Sequence, residues 1–232
     1  MKNSQSGNVL FYILIAVALL AALSFAVAIS GRGNMAGITD DKARILASEL
    51  IDYANTVSAA TTQLRLRGIR ETDLCFDEPQ WPAPYNNPSC SDDATKIFHP
   101  SGGGVTWARI AKDSTDVTGS PDRLWHIYGD NEIDGVGMTC GAASCAELIL
   151  VADELQQNVC IKINELLGVN NPSALPPVDT EMGTTQFIGT YSHSYTIGDE
   201  AGGAALSGKT AGCFQKTTVP AEYVFFRVLQ AR

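Results

Sequence analysis

Positive charge is scarce in this chain. Lys and Arg number 16 against 25 Asp and Glu, which leaves a net charge of −9 at neutral pH. Nonspecific binding to nucleic acid or to an anionic lipid surface needs clustered Lys and Arg, so no nucleic-acid partner is expected. Histidine is scarcer still: His99, His126 and His193 are the whole set, and no two sit at ligand spacing. The chain has no HExxH and no GxSxG, which removes the helix-borne zinc site and the nucleophile elbow as starting points for an enzyme. Internal repeats and low-complexity tracts are absent as well. The most consequential absence is local, for no charge and no proline occur from Val9 to Ile29.

That stretch reads VLFYILIAVALLAALSFAVAI. About 20 apolar residues, rising roughly 1.5 Å each, span the hydrocarbon core of a bilayer as a helix. The run therefore predicts a transmembrane or filament-core helix over residues 8–30, after a short leader at 1–7 and before a flexible break at 31–39 that contains Gly31-Arg32-Gly33-Asn34. Ala18, Ala22, Ala26 and Ser30 recur every four residues and form one ridge of small side chains, the kind that lets helices approach closely in lipid. A second processing reading stands beside this one. Ala26-Val27-Ala28 fits the small-residue pattern of signal peptidase, which would leave a mature chain starting at Ile29. The run is longer than the usual export-signal core of about 7–15 residues, which favours retention.

Beyond the break, Thr39 is placed to cap a helix whose first turn carries Asp40 and Asp41, where the helix dipole favours negative charge. Arg65 and Arg67 suit the other end, and Gly68 suits the left-handed residue that closes it. Leu46, Leu50, Tyr53, Val57, Ala60 and Leu64 form one apolar stripe, so residues 40–68 read as an amphipathic helix. Residues 69–232 read as a globular α+β head. WPAPYNNPSC is a loop. Strands are expected at Val105–Ala111, Arg123–Tyr128, Gln186–Tyr191, Tyr195–Gly198 and Glu222–Leu229. Ser144-x-x-Glu147 has the form of a capping box and predicts a helix through LILVADELQQNVCIKINELLG to about Leu167, with Leu148, Ala152, Leu155, Val159 and Leu166 as its stripe. Six cysteines all lie in the head, as in an exported, disulfide-tied domain. Spacing alone leaves the connectivity open. Local closures Cys75–Cys90 and Cys140–Cys145 with a long bridge Cys160–Cys213 are favoured. A zinc site is disfavoured, because no second close pair follows Cys140 and Cys145.

Gly7 followed at once by a long apolar run, then an amphipathic helix, a cysteine-closed loop region and late strands resembles the type IV pilin and pseudopilin superfamily. The likeness rests on the first 70 residues or so. It implies a leader cut between Gly7 and Asn8, a long hydrophobic N-terminal helix continued by an amphipathic helix, and a head with a small antiparallel sheet. It also implies a structural rather than enzymatic role. The partners would be copies of the same chain, the membrane before assembly, and a pilus or secretion machine. The location would be the inner membrane first and a cell-surface filament afterwards. The chain departs from the family pattern where Phe or Met usually follows the cut and Glu stands five places beyond it, for here these are Asn8 and Tyr12. Two alternatives accompany this reading: a single-span membrane-anchored ectodomain that binds a partner or scaffolds a secretion system without polymerising, and a signal-cleaved exported hydrolase or binding protein.

Three constellations bear on chemistry. Gly203-Ala204-Ala205-Leu206-Ser207-Gly208-Lys209-Thr210 fits the phosphate-binding pattern GxxxxGK[ST], but AGCFQKTTVP follows where a helix is required, so a surface loop is expected. Asp130, Glu132 and Asp134 before Gly135 resemble half a calcium loop, with Gly141 where the closing Glu belongs. No cofactor is expected, with calcium at these three carboxylates as the alternative. Ser192-His193-Ser194 offers residue types used in nucleophilic catalysis, while His126 in LWHIY reads as a packed strand histidine.

Overall fold

The computed structural model describes residues 11–20, 39–77, 87–116, 123–138, 140, 142–179, 181–217 and 222–232. The chain divides into two compact units, Met1–Thr39 and Asp40–Arg232. In the first, residues 11–20 form helix α1, and its side chains are exposed, Phe11, Tyr12, Leu14, Leu19 and Leu20 among them. Among the described residues no helix is long and apolar enough to cross a membrane. The expected membrane-spanning helix over 8–30 is corrected to that extent: residues 11–20 are helical, and 8–10 and 21–30 lie outside the described residues. The small-residue ridge keeps only Ala18 within the described residues; Ala22, Ala26 and Ser30, the Gly7–Asn8 cleavage point and the 31–39 break, but for Thr39, lie outside them.

The second unit opens with helix α2, Asp40–Leu66. Ala43, Leu46, Ala47, Leu50, Ala54, Val57, Ala60 and Leu64 are buried along one face. Gly68 (φ 91°) ends it in the left-handed region, with the Ile69 N–H reaching back to the Leu64 carbonyl at 3.2 Å. Six strands follow: β1 (His126–Ile133), β2 (Glu147–Leu155), β3 (Val178–Asp179), β4 (Tyr195–Ile197), β5 (Ala211–Lys216) and β6 (Glu222–Gln230), with α3 (Gln157–Leu167) after β2. They form one sheet in the order β3-β5-β6-β2-β1-β4. The central pairs are antiparallel, and the two edge pairs, β3–β5 and β1–β4, are parallel. The edges curl toward each other. The Val178 N–H donates to Gly202 O at 3.2 Å, and the Gly198 N–H donates to the buried Asp179 Oδ2 at 2.7 Å. The expected small antiparallel sheet is thus replaced by a mixed, nearly closed barrel, because short loop segments on both flanks hydrogen-bond to the outer strands.

Both faces of the central strands are covered. Ile149, Val151, Phe214, Val224, Phe226 and Val228 pack with Tyr128, Ile133, Ile197 and Leu206 in one buried cluster. The alternate residues Cys213 and Phe225 meet the helical layer, where α2 and α3 pack on each other and on β6. This double burial overturns the helix expected from Ser144-x-x-Glu147. LILVA within ELILVADEL is a continuous apolar run because this part of the central strand is buried on both faces, and helix α3 begins only at Gln157. Leu148, Ala152 and Leu155 are strand residues, and Leu166 is partly exposed. Val105–Ala111 forms no strand, and Gln186–Tyr191 contributes a single bridge, Tyr128–Gln186.

The disulfides are Cys75–Cys90, Cys140–Cys145 and Cys160–Cys213, the pairing favoured from spacing. Such bonds point to folding in an oxidising compartment. The last joins α3 to β5, and Asn164 works beside it. Its Nδ2 donates to Cys213 O and its Oδ1 accepts the Cys213 N–H, both at 2.8 Å, in place of a neighbouring strand.

Candidate functional site

The acidic stretch of β1 turns inward. Asp130 and Glu132 are buried. Asp130 Oδ2 accepts the Thr185 N–H at 3.0 Å and the Ser194 hydroxyl at 3.1 Å, while Oδ1 accepts Asn131 Nδ2 at 3.0 Å. Protein donors therefore take up both oxygens. Glu132 Oε2 lies 3.6 Å from His193 Nε2. Asp134 sits in the following turn, where its N–H donates to Ile197 O at 2.9 Å. The Asp130 and Glu132 carboxylates have separate partners, and no group of three or more His, Cys, Asp or Glu positioned for a metal ion occurs among the described residues.

His193 does not build a relay with its neighbours. The same nitrogen, Nε2, faces both Glu132 and, at 3.3 Å, Thr196 Oγ1. A relay needs the acid on one ring nitrogen and the nucleophile on the other. The Ser194 hydroxyl is committed to Asp130. His126 lies on β1, stacked on Tyr128 with Nε2 3.7 Å from Asp153.

Within Gly203–Thr210 only Ala204–Leu206 forms a one-turn 3₁₀ segment, and β5 begins at Ala211. No helix N-terminus is available there to receive a phosphate. A Cβ added at Gly203 would lie 2.3 Å from Asp179 Oδ2, so a carboxylate occupies the space an anion would need. Lys209 Nζ donates to Gly168 O at 3.1 Å, the residue that ends α3. Lys209→Ala should cost about 1 kcal/mol or less, as for one exposed hydrogen bond. Neither form should bind ATP in calorimetry, and saturable binding lost on Lys209→Ala would contradict this placement.

A groove runs between α2 and the 108–114 segment, with a volume of ≈ 210 Å³. Its floor is apolar: Leu46, Leu50, Ile110 and Trp125 are buried. Tyr53 stacks on Trp125 (5.0 Å between rings, 29°) and its hydroxyl accepts the Ala108 N–H at 3.3 Å. The exposed Glu49 and Arg109 bring opposite charges to the lining. The Lys42–Asp113 ion pair fastens α2 to the far side of the same loop. Tyr53 was legible as part of the helix stripe. Ile110 and Trp125 carried no signal of a groove, since only tertiary packing brings their segments to α2. No protein-family model, curated protein or solved structure matches the chain.

Proposed function

We propose that this chain is a pilin-like structural subunit of an extracellular filament or pseudopilus, assembled through its apolar N-terminal segment. The observation that carries the reading is the uncharged run from Val9 to Ile29, of which residues 11–20 are helical and present large exposed apolar side chains. Water does not tolerate such a surface uncovered, so it must meet lipid or other copies of itself. An amphipathic helix buried on a disulfide-tied head supports the reading, because the head then folds independently of the segment. In this account the segment stores the subunit in the inner membrane and then packs against its copies when a pilus or secretion machine draws it out.

Electron microscopy of sheared cell surfaces tests it. Wild-type cells should shed filaments that contain the chain. Ala18→Trp, which enlarges the ridge on α1, should abolish them while the head keeps its melting temperature. Normal filaments from that variant count against assembly through this segment. The groove on the head favours a second reading, an anchored ectodomain that receives a partner without polymerising, for which sheared surfaces yield no filaments.

A further inference from the structure

The groove beside α2 is held open by the ties of the loop that walls it. The Ala108 N–H donates to Tyr53 Oη at 3.3 Å, and the Ile110 N–H donates to Arg123 O at 3.0 Å. Asp113 is ion-paired to Lys42, and Ser114 O accepts the Gln156 N–H at 2.9 Å. The loop is thus fixed to α2 and to the start of α3, and a ligand would meet a preformed site. A cavity of about 150 Å³ lined by apolar side chains admits a benzene ring. The ≈ 210 Å³ of this groove takes such a ring with a few polar atoms attached.

Polar groups interrupt the apolar lining. Ser114 is 1 % exposed, and its hydroxyl has no hydrogen-bond partner. A buried hydroxyl left unpaired is costly, and it can accept from an ammonium or donate to a carboxylate. Glu49 stands on the α2 wall and Arg109 on the loop wall, both exposed. These opposite charges flank the groove without pairing with each other, and Glu49 has no ion pair among the described residues. Arg109 has five N–H groups, so contacts made elsewhere leave donors for a carboxylate.

We propose that this groove binds a free aromatic α-amino acid. The ring lies on the apolar floor beside Trp125 and Tyr53, where aromatic contacts add to burial. The ammonium faces Glu49, the carboxylate faces Arg109, and Ser114 supplies a hydrogen bond. Charge selects the class, because a net cation would be opposed by Arg109 and a net anion by Glu49. A zwitterion satisfies both. This inference stands apart from the reading of the apolar N-terminal segment.

Titration of L-phenylalanine into the full chain in lipid nanodiscs, followed by ligand-observed NMR, tests this. A ligand of about a dozen non-hydrogen atoms should saturate in the micromolar to millimolar range. Phenethylamine, which lacks the carboxylate, and 3-phenylpropionate, which lacks the ammonium, should each bind about tenfold more weakly. L-Phenylalaninamide, which stands in for the first residue of a peptide, should be weakened as phenethylamine is. Glu49→Gln should weaken L-phenylalanine but not 3-phenylpropionate. Ser114→Ala should weaken L-phenylalanine without lowering the melting temperature, because it removes a hydroxyl the free protein leaves unpaired. No saturation of L-phenylalanine by about 10 mM overturns the proposal. So does equal binding of any of the three analogues, a Glu49→Gln variant that binds like wild type, or a Ser114→Ala variant that binds like wild type or melts lower.

Discussion

Trp125→Ala should lower the stability of the head by about 3–5 kcal/mol. For a unit of this size that is a fall in melting temperature of roughly 10 °C. Trp125 lies just before β1, is 2 % exposed, and touches both layers of the head. It stacks on Tyr53 of α2 and meets Phe225 of β6 edge-on at 6.4 Å. Removing it leaves a hole between a helix and a central strand, two elements with little freedom to collapse. The groove would deepen at the same time, because the indole forms part of its floor. Trp125→Phe keeps most of the ring contacts and should recover most of the loss. Urea unfolding of both variants measures this, and an alanine variant within about 1 kcal/mol of wild type would show that the α2–sheet contact does not depend on the indole.

The second large effect belongs to the Cys160–Cys213 bridge. It closes a loop of 53 residues in sequence. That loop contains most of α3, all of β3 and β4, and the entry to β5. On the chain-entropy relation a loop of that length contributes about 4 kcal/mol, against about 2 kcal/mol for the five-residue separation of Cys140 and Cys145. Replacing Cys160 and Cys213 together by serine should therefore cost more than replacing Cys140 and Cys145 together. The head should still fold under mild conditions, because Asn164 keeps both backbone groups of Cys213 satisfied. Unfolding of the two double variants in parallel decides the order, and equal losses would mean that strain or residual structure outweighs loop length.

Legibility in the sequence tracked how local the determinants are. Helix α2 was readable in full because its acidic first turn, apolar stripe and closing glycine are all encoded within its own residues. Strand β6 announced itself through YVFFRVL. Spacing left the disulfide connectivity open but favoured the pairing found, because short separations favour local closure and one distant pair was left over. Strand β2 was not readable. Ser144 and Glu147 have the form of a helix start, and an apolar run buried on both faces carries no period to distinguish a strand from a helix. Glu147 itself was taken as a cap, whereas it points into the protein toward Ile133 and Gly137. Strands β3 and β5 escaped for a related reason. Val178–Asp179 is a strand only because Gln215 and Lys216 lie beside it. AGCFQK follows a phosphate-loop pattern that drew attention to Gly203 and Lys209, residues engaged instead with Asp179 and Gly168. The acidic spacing from Asp130 to Asp134 did not reveal the partners each residue has, since Asp130 accepts from Thr185 and Ser194, Glu132 faces His193, and Asp134 lies in the turn after β1.

The account rests on the apolar segment remaining with the subunit and packing against its copies. Mass spectrometry of the mature protein's N-terminus, recovered from sheared surface material, tests this most directly. The prediction is a chain that begins at Asn8 and keeps the run from Val9 to Ile29, and a chain that begins at Ile29, freed of that run, contradicts it.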